Sequence, residues 1–130
     1  MTITKMMPME MQQSLTAADA ANFIGVVMDR IIKTTGPDDS PTDRQIRFAT
    51  AVQIYHHELH GVPTTMAEIQ KTVAVTINFL RQRLNKLVET DILQITKRPA
   101  AGKTTNFTNH YSLSDSIIAE TIALRHCGSK

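Results

Sequence analysis

Four polar side chains in one predicted helix have the types and the spacing that are needed to contact the edges of DNA bases. Residues 76–90 place leucines at i, i+4 and i+7, which predicts an amphipathic helix. Its opposite side carries Asn78, Arg81, Gln82 and Asn85, together with Glu89. Arginine binds guanine with two hydrogen bonds, and asparagine or glutamine binds adenine in the same way. This face therefore predicts base recognition, and an ordinary solvated helix face is the alternative.

Six further residues near this face are suited to contacts with phosphate. They are Thr76, Arg83 and Lys86 on the same helix, and Lys97, Arg98 and Lys103 in the segment that follows it. Residues 71–103 hold seven basic and two acidic residues, a net charge of +5, whereas the rest of the chain holds seven basic and ten acidic residues. A positive segment that carries the recognition helix is expected of a protein that binds the DNA backbone, and chance segregation of charge is the alternative.

The segment before the amphipathic helix predicts a second helix packed close to it. Thr65 and Glu68 have the spacing of a capping box, which would start a short helix over 66–72. A turn over 72–75 then leads to Thr76, which would cap the longer helix. Two helices joined by a short turn form the core of a helix-turn-helix motif.

The segment after the amphipathic helix predicts a β-hairpin. Residues 94–97 and 106–114 alternate between apolar and polar types, as strands do, and 98–103 form a turn rich in Pro, Gly and basic residues. The order helix, turn, helix, hairpin is that of a winged helix-turn-helix. The predicted fold class is therefore mainly α with a small β-hairpin wing (α+β), with additional N- and C-terminal helices.

Residues 73–93, followed by a hairpin that closes over 111–114, resemble the MarR-like winged helix-turn-helix regulators. Residues 42–45 and 61–64, with Glu68 and Ile69 beyond them, resemble the DNA-binding domain of LexA-type repressors. These families usually place glycine at the end of the recognition helix, where this chain has an aspartate at position 91. The resemblance implies sequence-specific binding of double-stranded DNA by a homodimer.

Two further helices are predicted outside the winged module of residues 42–114. The first, in segment 14–35, begins at Thr16 with Asp19 completing the cap and runs to Lys33. Its main apolar stripe is Ala20, Ile24, Val27, Met28 and Ile31, with Phe23, Val26 and Ile32 outside that stripe. The second, in segment 115–130, is capped by Ser114 and is also apolar on more than one side. The helices either cover the winged domain or form a homodimer interface, and we favour the homodimer.

Three segments connect or extend these elements. Residues 1–13 are predicted to be a disordered tail, and 34–41 to be a hinge between a dimerisation arm and the DNA-binding module. Thr42 and Asp43 would cap a helix that runs to His60 and ends at Gly61. Its buried side is predicted to consist of Ile46, Ala49, Val52 or Gln53, Tyr55 and Leu59.

Catalytic and metal chemistry have weaker support. His56 and His60 share a helix face at i, i+4, a spacing that can chelate zinc, but His57 points away and no cysteine is near. Cys127 beside His126 has no third group to orient the pair. We find no phosphate loop, nucleophile elbow or paired carboxylates, so we predict no enzyme activity, no metal and no cofactor. A small effector between Phe23, Met28, Phe48 and Tyr55 is an open alternative without support.

The sequence favours a homodimeric transcriptional regulator that binds a palindromic operator in double-stranded DNA. A winged-helix protein–protein interaction module is the alternative from another class, and a DNA replication, partition or excision accessory factor is the alternative within DNA binding. The single cysteine and the lack of a long apolar run predict a bacterial cytoplasmic protein without a membrane span. The operator, the sign of regulation and the helix that forms the dimer are not determined by the sequence.

Overall fold

Five helices and one antiparallel hairpin form the described part of the chain, which in this computed structural model comprises residues 14–62, 64–73, 75–99 and 107–127. The helices are α1 (Ala20–Lys33), α2 (Pro41–Leu59), α3 (Met66–Gln70), α4 (Ile77–Glu89) and α5 (Asp115–Cys127), and the strands are β1 (Leu93–Pro99) and β2 (Phe107–Leu113). The predicted tail 1–13 and Lys103 lie outside the described residues. The mainly helical α+β class is confirmed. Across the described ranges, no helix is long and apolar enough to cross a membrane.

Helix α4 packs its leucine stripe into the centre of the core. Leu80, Leu84 and Leu87 are fully buried, as the sequence predicts. Thr76 begins the helix, and its hydroxyl accepts a hydrogen bond from the Phe79 amide at 3.3 Å. This register turns the polar side of α4 away from the core, and it follows directly from the spacing of the leucines.

The end of α4 is a Schellman turn centred on Asp91. The Ile92 amide donates to the Leu87 carbonyl at 2.9 Å, and the Asp91 amide donates to the Val88 carbonyl at 3.1 Å. Asp91 has a φ of 61°, in the left-handed region that glycine usually occupies. The buried side chains of Ile92 and Leu87 complete the turn, so an aspartate serves at a position where glycine is common.

Helix α1 is part of the same core, with a buried face different from the predicted one. Phe23, Val26, Val27 and Ile31 are buried, whereas Ile24 and Met28 are exposed, which corrects the predicted stripe. Phe23 stacks on Tyr55 of α2 with ring centroids 4.4 Å apart. The apolar residues surround most of the helix, so this ring contact, rather than periodicity, fixes its rotation.

Arg30 also ties α1 to α4 and α5. Its guanidinium donates to the carbonyls of Thr90 and Asp91 at 3.1 and 3.0 Å, at the C-terminus of α4. It also donates to the Ser116 hydroxyl at 3.0 Å and pairs with Glu120 on α5. A cation at this end favours the helix dipole of α4. Segment 34–41 therefore joins two helices of one core, and the dimerisation role of α1 remains a prediction.

The N-terminal end of the described chain is fixed by a second ion pair. Arg125 of α5 donates to both carboxylate oxygens of Asp19 at 2.8 Å. The same carboxylate accepts from the Thr16 amide at 2.7 Å, which confirms the predicted capping box, although it starts a 3-10 turn over Ala17–Asp19 rather than α1 itself. The hydrogen bonds from Arg125 lower the pKa of Asp19 to about 2.

Helix α2 begins earlier than predicted, and the side that it buries differs in part from the predicted one. Ser40, rather than Thr42 or Asp43, is the N-cap, and Pro41 occupies the first helical position, where its missing N–H costs nothing. The buried residues are Arg47, Thr50, Ala51, Ile54, Tyr55 and His57, whereas Ala49 is exposed and Ile46, Val52, Gln53 and Leu59 are only partly buried. Of the predicted side, Tyr55 is buried and Val52 and Leu59 pack against the core while partly exposed, whereas the buried Arg47, Thr50 and His57 were not predicted.

The hairpin lies against the core along one side of β1 and β2. Leu93 pairs with Leu113, Ile95 with Tyr111, and Lys97 with Asn109. Leu93, Tyr111 and Leu113 are buried, and exposure increases towards the turn. The Ser114 hydroxyl then accepts from the Ile117 amide at 3.1 Å and caps α5, as predicted. The hairpin thus joins α4 directly to α5 and projects its far end beyond the core.

Candidate nucleic-acid interface

The predicted base-contacting residues of α4 lie together on its exposed side. Asn78, Arg81, Gln82 and Asn85 are all exposed. Asn78 Oδ1 accepts a hydrogen bond from the Arg81 guanidinium at 2.9 Å, so two of the four side chains already form a pair. In the described ranges this is the one hydrogen bond of the Arg81 side chain, which leaves its other N–H groups available to an acceptor.

A groove of about 440 Å³ connects this side of α4 with the hairpin. Arg81 lines one wall, and Thr108 and Asn109 of β2 line another, with Thr65, Met66, Ala67 and Tyr111 completing it. Asn109 pairs across the hairpin with Lys97, which is exposed. Arg81 of α4 and Asn109 of β2 therefore line one groove, and the exposed Lys97 is paired with Asn109 across the hairpin.

The turn between the two helices positions this face. The Thr65 hydroxyl accepts from the Glu68 amide at 3.3 Å and starts α3. In the predicted capping box the Glu68 carboxylate would also accept a hydrogen bond from the Thr65 amide. The carboxylate instead pairs with Lys71 at 2.9 Å. Gln70 donates to the Val75 carbonyl at 3.2 Å, which holds the start of α4 against α3. Helix α3 is shorter than predicted and ends at Gln70 rather than at residue 72.

Arg83 and Lys86 lie on a different side of α4 from the four exposed residues. Arg83 forms an ion pair with Asp43 of α2, and its guanidinium carbon lies 4.0 Å from the centre of the Phe79 ring. Lys86 is half-buried, and its charge helps to lower the pKa of Asp39. Arg83 is therefore engaged within the protein, although the sequence placed it among the phosphate contacts.

Asp39 is the acidic residue that lies close to both Arg47 and Lys86. Its carboxylate accepts from the Gly36 amide at 2.9 Å and from the fully buried Arg47 at 3.2 Å. The Gly36 hydrogen bond is the main cause of its lowered pKa, and the charges of Arg47 and Lys86 act in the same direction. Acids near the start of α2 thus neutralise one basic flank of α4.

The remaining predicted phosphate contacts divide into three groups. Thr76 is exposed at the start of α4, where it also serves as the N-cap. Lys97 is exposed near the end of β1. The backbone of Arg98 belongs to β1, and its side chain, like the whole of Lys103, lies outside what the structure describes.

Three residues of this surface are absent from the set predicted from the sequence. Thr108 and Asn109 line the groove, and Ile77 is 45 % exposed beside Asn78. In the alternating pattern of β2, Asn109 lies on the same side as the buried Tyr111. This pattern could have identified Asn109 as a groove residue, because the hairpin extends past the core at this position. Ile77 carried no such signal, because an apolar residue at the first position of a helix is predicted to be buried.

Neither the three neighbouring histidines nor the four residues proposed for an effector come together as a single site among the described residues. The rings of His56 and His60 lie 4.4 Å apart, and His57 is buried. Among the described residues, no group of three or more metal-binding side chains lies together. The four residues proposed for an effector are also divided. Met28 and Phe48 line a largely apolar groove of about 240 Å³, whereas Phe23 and Tyr55 are stacked in the core.

Comparisons with models of protein families, with curated proteins and with solved structures each found no match to this chain. The resemblances to MarR-like regulators and to LexA-type repressors therefore depend on residue pattern alone. Any function must be argued from the exposed face of α4, the hairpin and the groove between them.

Proposed function

We propose that this protein is a winged helix-turn-helix regulator that binds double-stranded DNA in a sequence-specific manner. One observation carries the proposal: Arg81 of α4 and Asn109 of β2 line the same groove, and the exposed Lys97 is the cross-strand partner of Asn109. A recognition helix and a wing must present one surface if they are to contact adjacent grooves of a duplex. Helix α4 enters the major groove, and the hairpin lies on the backbone or in the neighbouring minor groove.

A contact between the hairpin and the loop before α3 supports the winged-helix assignment. The Tyr111 amide donates to the Thr64 carbonyl at 2.9 Å. This places the chain between α2 and α3 alongside the edge of β2, as a short additional strand would be placed. The order of elements is then helix, edge segment, two helices and a hairpin, which is the order of a winged domain.

The exposure of each side chain supports the following division of roles in the proposed interface. Asn78, Arg81, Gln82 and Asn85 contact base edges, and Thr76 and Lys97 contact phosphate. Arg83 holds α4 against α2 through Asp43 and does not bind phosphate in this assignment. Lys86, Arg98 and Lys103 remain phosphate contacts predicted from their position in the sequence.

We propose that a homodimer forms through α1. Five large apolar side chains are exposed in the described part of the chain, and Ile24, Met28 and Ile32 of α1 are three of them. They recur at i, i+4 and i+8, so they form one stripe on the outside of the helix. Helix α5 contributes none of the five, which favours α1 as the interface.

Sedimentation velocity tests this assignment. Met28→Lys places a charge in the middle of the α1 stripe and is expected to convert a dimer into a monomer. Ala119→Lys changes an exposed residue of α5 and serves as the matched control. Dissociation by the control variant, with the α1 variant still dimeric, would assign the interface to α5 instead.

The function itself is tested by selection from a pool of random duplexes at physiological salt with the purified protein. The expected product is an inverted repeat whose half-sites are about one helical turn, roughly 34 Å, from centre to centre. The Asn78→Ala/Gln82→Ala double variant, which changes exposed side chains only, is expected to recover a more degenerate motif. A pool without enrichment would contradict the proposal and favour the alternative of a protein-binding module.

A further inference from the structure

A second groove, of about 500 Å³, opens between the hairpin and the C-terminal end of α2. Its volume falls within the range of about 300–1,000 Å³ that is usual for small-molecule sites. Its lining is mixed: Glu58, Gln94, Thr96, His110 and Ser112 contribute polar side chains, and Gly61, Val62, Thr64, Tyr111, Leu113 and Ile118 complete it. None of the residues proposed to contact DNA lines this groove.

The hairpin contributes a compact polar patch to this groove. Gln94 is paired with Ser112, and Thr96 is paired with His110. Alternate residues of a strand point to one face, so these four side chains stand together. Among the described residues, none of these four side chains takes part in a hydrogen bond. An amide, two hydroxyls and an imidazole are therefore available to a ligand.

Glu58 places an acidic group at the edge of this patch. Its Oε2 accepts a hydrogen bond from the Leu113 amide at 2.8 Å. In the described ranges no Lys, Arg or His forms an ion pair with this carboxylate, and its other oxygen accepts no hydrogen bond. The side chain is open to the groove, yet the surrounding protein raises the pKa of its carboxyl group through desolvation. A carboxylate without a cation in a concave wall is suited to binding a positively charged ligand.

A smaller cavity of about 160 Å³ continues the groove past this carboxylate. It shares Glu58 and Ile118 with the larger groove and is also lined by Leu15, Tyr55 and Leu59. The carboxylate therefore lies where the two spaces meet, with the polar side chains of the hairpin on one side and Leu15 and Leu59 on the other. A ligand that fits has a cationic group near its middle or at one end, polar groups on the hairpin side and a short aliphatic part.

We propose that this groove binds a small organic cation, namely a primary amine that also carries hydroxyl or amide groups. The ammonium group binds Glu58, and the polar groups bind Gln94, Thr96, His110 and Ser112. This inference does not depend on the proposed function, because its residues are separate from the DNA-contacting face of α4.

A residue-resolved NMR titration of the full chain with ethanolamine and with glycinamide, which carry a hydroxyl and an amide group respectively, tests the proposal. Saturable shifts are expected at the backbone amides of Leu113, Ser112 and Thr96. Ethylene glycol and acetate, at the same concentrations and ionic strength, serve as neutral and anionic controls. Shifts that do not saturate, or equal shifts with ethylene glycol, would overturn the proposal.

Two variants connect the shifts with the site. Glu58→Gln keeps an oxygen for the Leu113 amide and is expected to weaken amine binding at least tenfold. Glu89→Gln removes an exposed carboxylate of α4 and should leave amine binding unchanged. If Glu58→Gln does not fold, Thr96→Leu, at an exposed strand position, must weaken the binding in its place. Undiminished affinity in the folded variant would overturn the assignment.

Discussion

Two sides of α4 carry arginine, and their surroundings are opposite. Arg81 is exposed and bonded to Asn78 alone among the described residues, while Arg83, two positions later, pairs with Asp43 and lies over the Phe79 ring. A rotation of about 200° between i and i+2 separates them on the helix. The comparison shows that the availability of a basic side chain depends on which neighbouring element it faces, and this cannot be obtained from a count of charges.

The largest effect is expected on the free energy of unfolding when Asp39, an acid near the Arg83 side of α4, is removed. Asp39→Ala leaves the guanidinium of Arg47 fully buried with no carboxylate partner, because Asp39 is its ion-pair partner. The loss of one partner of a buried pair costs about 3–5 kcal/mol of unfolding free energy. Urea denaturation followed by circular dichroism measures it. Asp38→Ala, one residue earlier and exposed, is the matched control and should be near neutral.

The same carboxylate should confer a dependence of stability on pH. The pKa of folded Asp39 lies below its ordinary value of 3.8. Its contribution is therefore fully present above about pH 4 and is lost as the pH falls through the lower, folded value. The stability difference between the native chain and Asp39→Asn should shrink below pH 4. A difference that stays constant down to pH 2 would show that neither the Gly36 hydrogen bond nor the charge of Arg47 lowers the pKa of Asp39 in the folded chain.

The exposed side should respond in DNA binding and not in stability. Arg81→Ala is expected to cost about 1–3 kcal/mol on a selected duplex and to relax preference at one base pair. Its unfolding free energy should remain within about 0.5 kcal/mol of the native value, since the side chain is exposed. Fluorescence anisotropy with selected and scrambled duplexes measures the effect. An equal loss on both duplexes would contradict the assigned base contact.

A double-mutant cycle on Arg83 and Asp43 tests whether Arg83, unlike Arg81, is held within the protein. The two side chains are 19 % and 12 % exposed, so their ion pair is only partly screened by solvent. We expect a coupling energy of about 1 kcal/mol in unfolding experiments. Arg83→Ala should leave the salt dependence of DNA binding unchanged. If its slope falls by about one, Arg83 leaves Asp43 to contact phosphate, and the distinction between the two sides fails.

The smallest expected effect concerns the wing. Lys97→Ala should weaken binding to all duplexes alike and reduce the slope of log K against log salt by about 0.9. Titrations at several salt concentrations measure this slope. Asp115→Asn, an exposed substitution at the start of α5, gives a control that changes charge outside α4 and the hairpin. A loss confined to the selected duplex would instead make Lys97 a base contact.

Elements with one dominant signal were predicted well from the sequence. The leucine stripe, the caps at Thr76 and Ser114, the end at Gly61 and the hairpin strands are all local features that a few neighbouring residues determine. Asp91 has the left-handed conformation at the position where the resembled families usually place glycine.

The rotation of α1 and α2 could not be predicted in the same way. Both helices have apolar residues around much of their surface, and polar residues such as Arg47 are buried because a distant residue, Asp39, supplies a partner. Arg30 binds carbonyls that are 60 and 61 positions away, a relation with no trace in local periodicity. In the candidate site the same limit applies, since the sequence could not show that Arg83 faces Asp43.

NMR mapping decides whether the exposed side of α4 and the hairpin form a DNA-binding surface. A random-sequence duplex is added to the isotope-labelled chain at low salt, so that no operator need be known. We expect shifts concentrated at residues 76–86, at Lys97 and at Asn109, with the outer face of α5 unchanged. Shifts that cluster on α1 or α5 and leave α4 unperturbed, or an unchanged spectrum, would contradict the account.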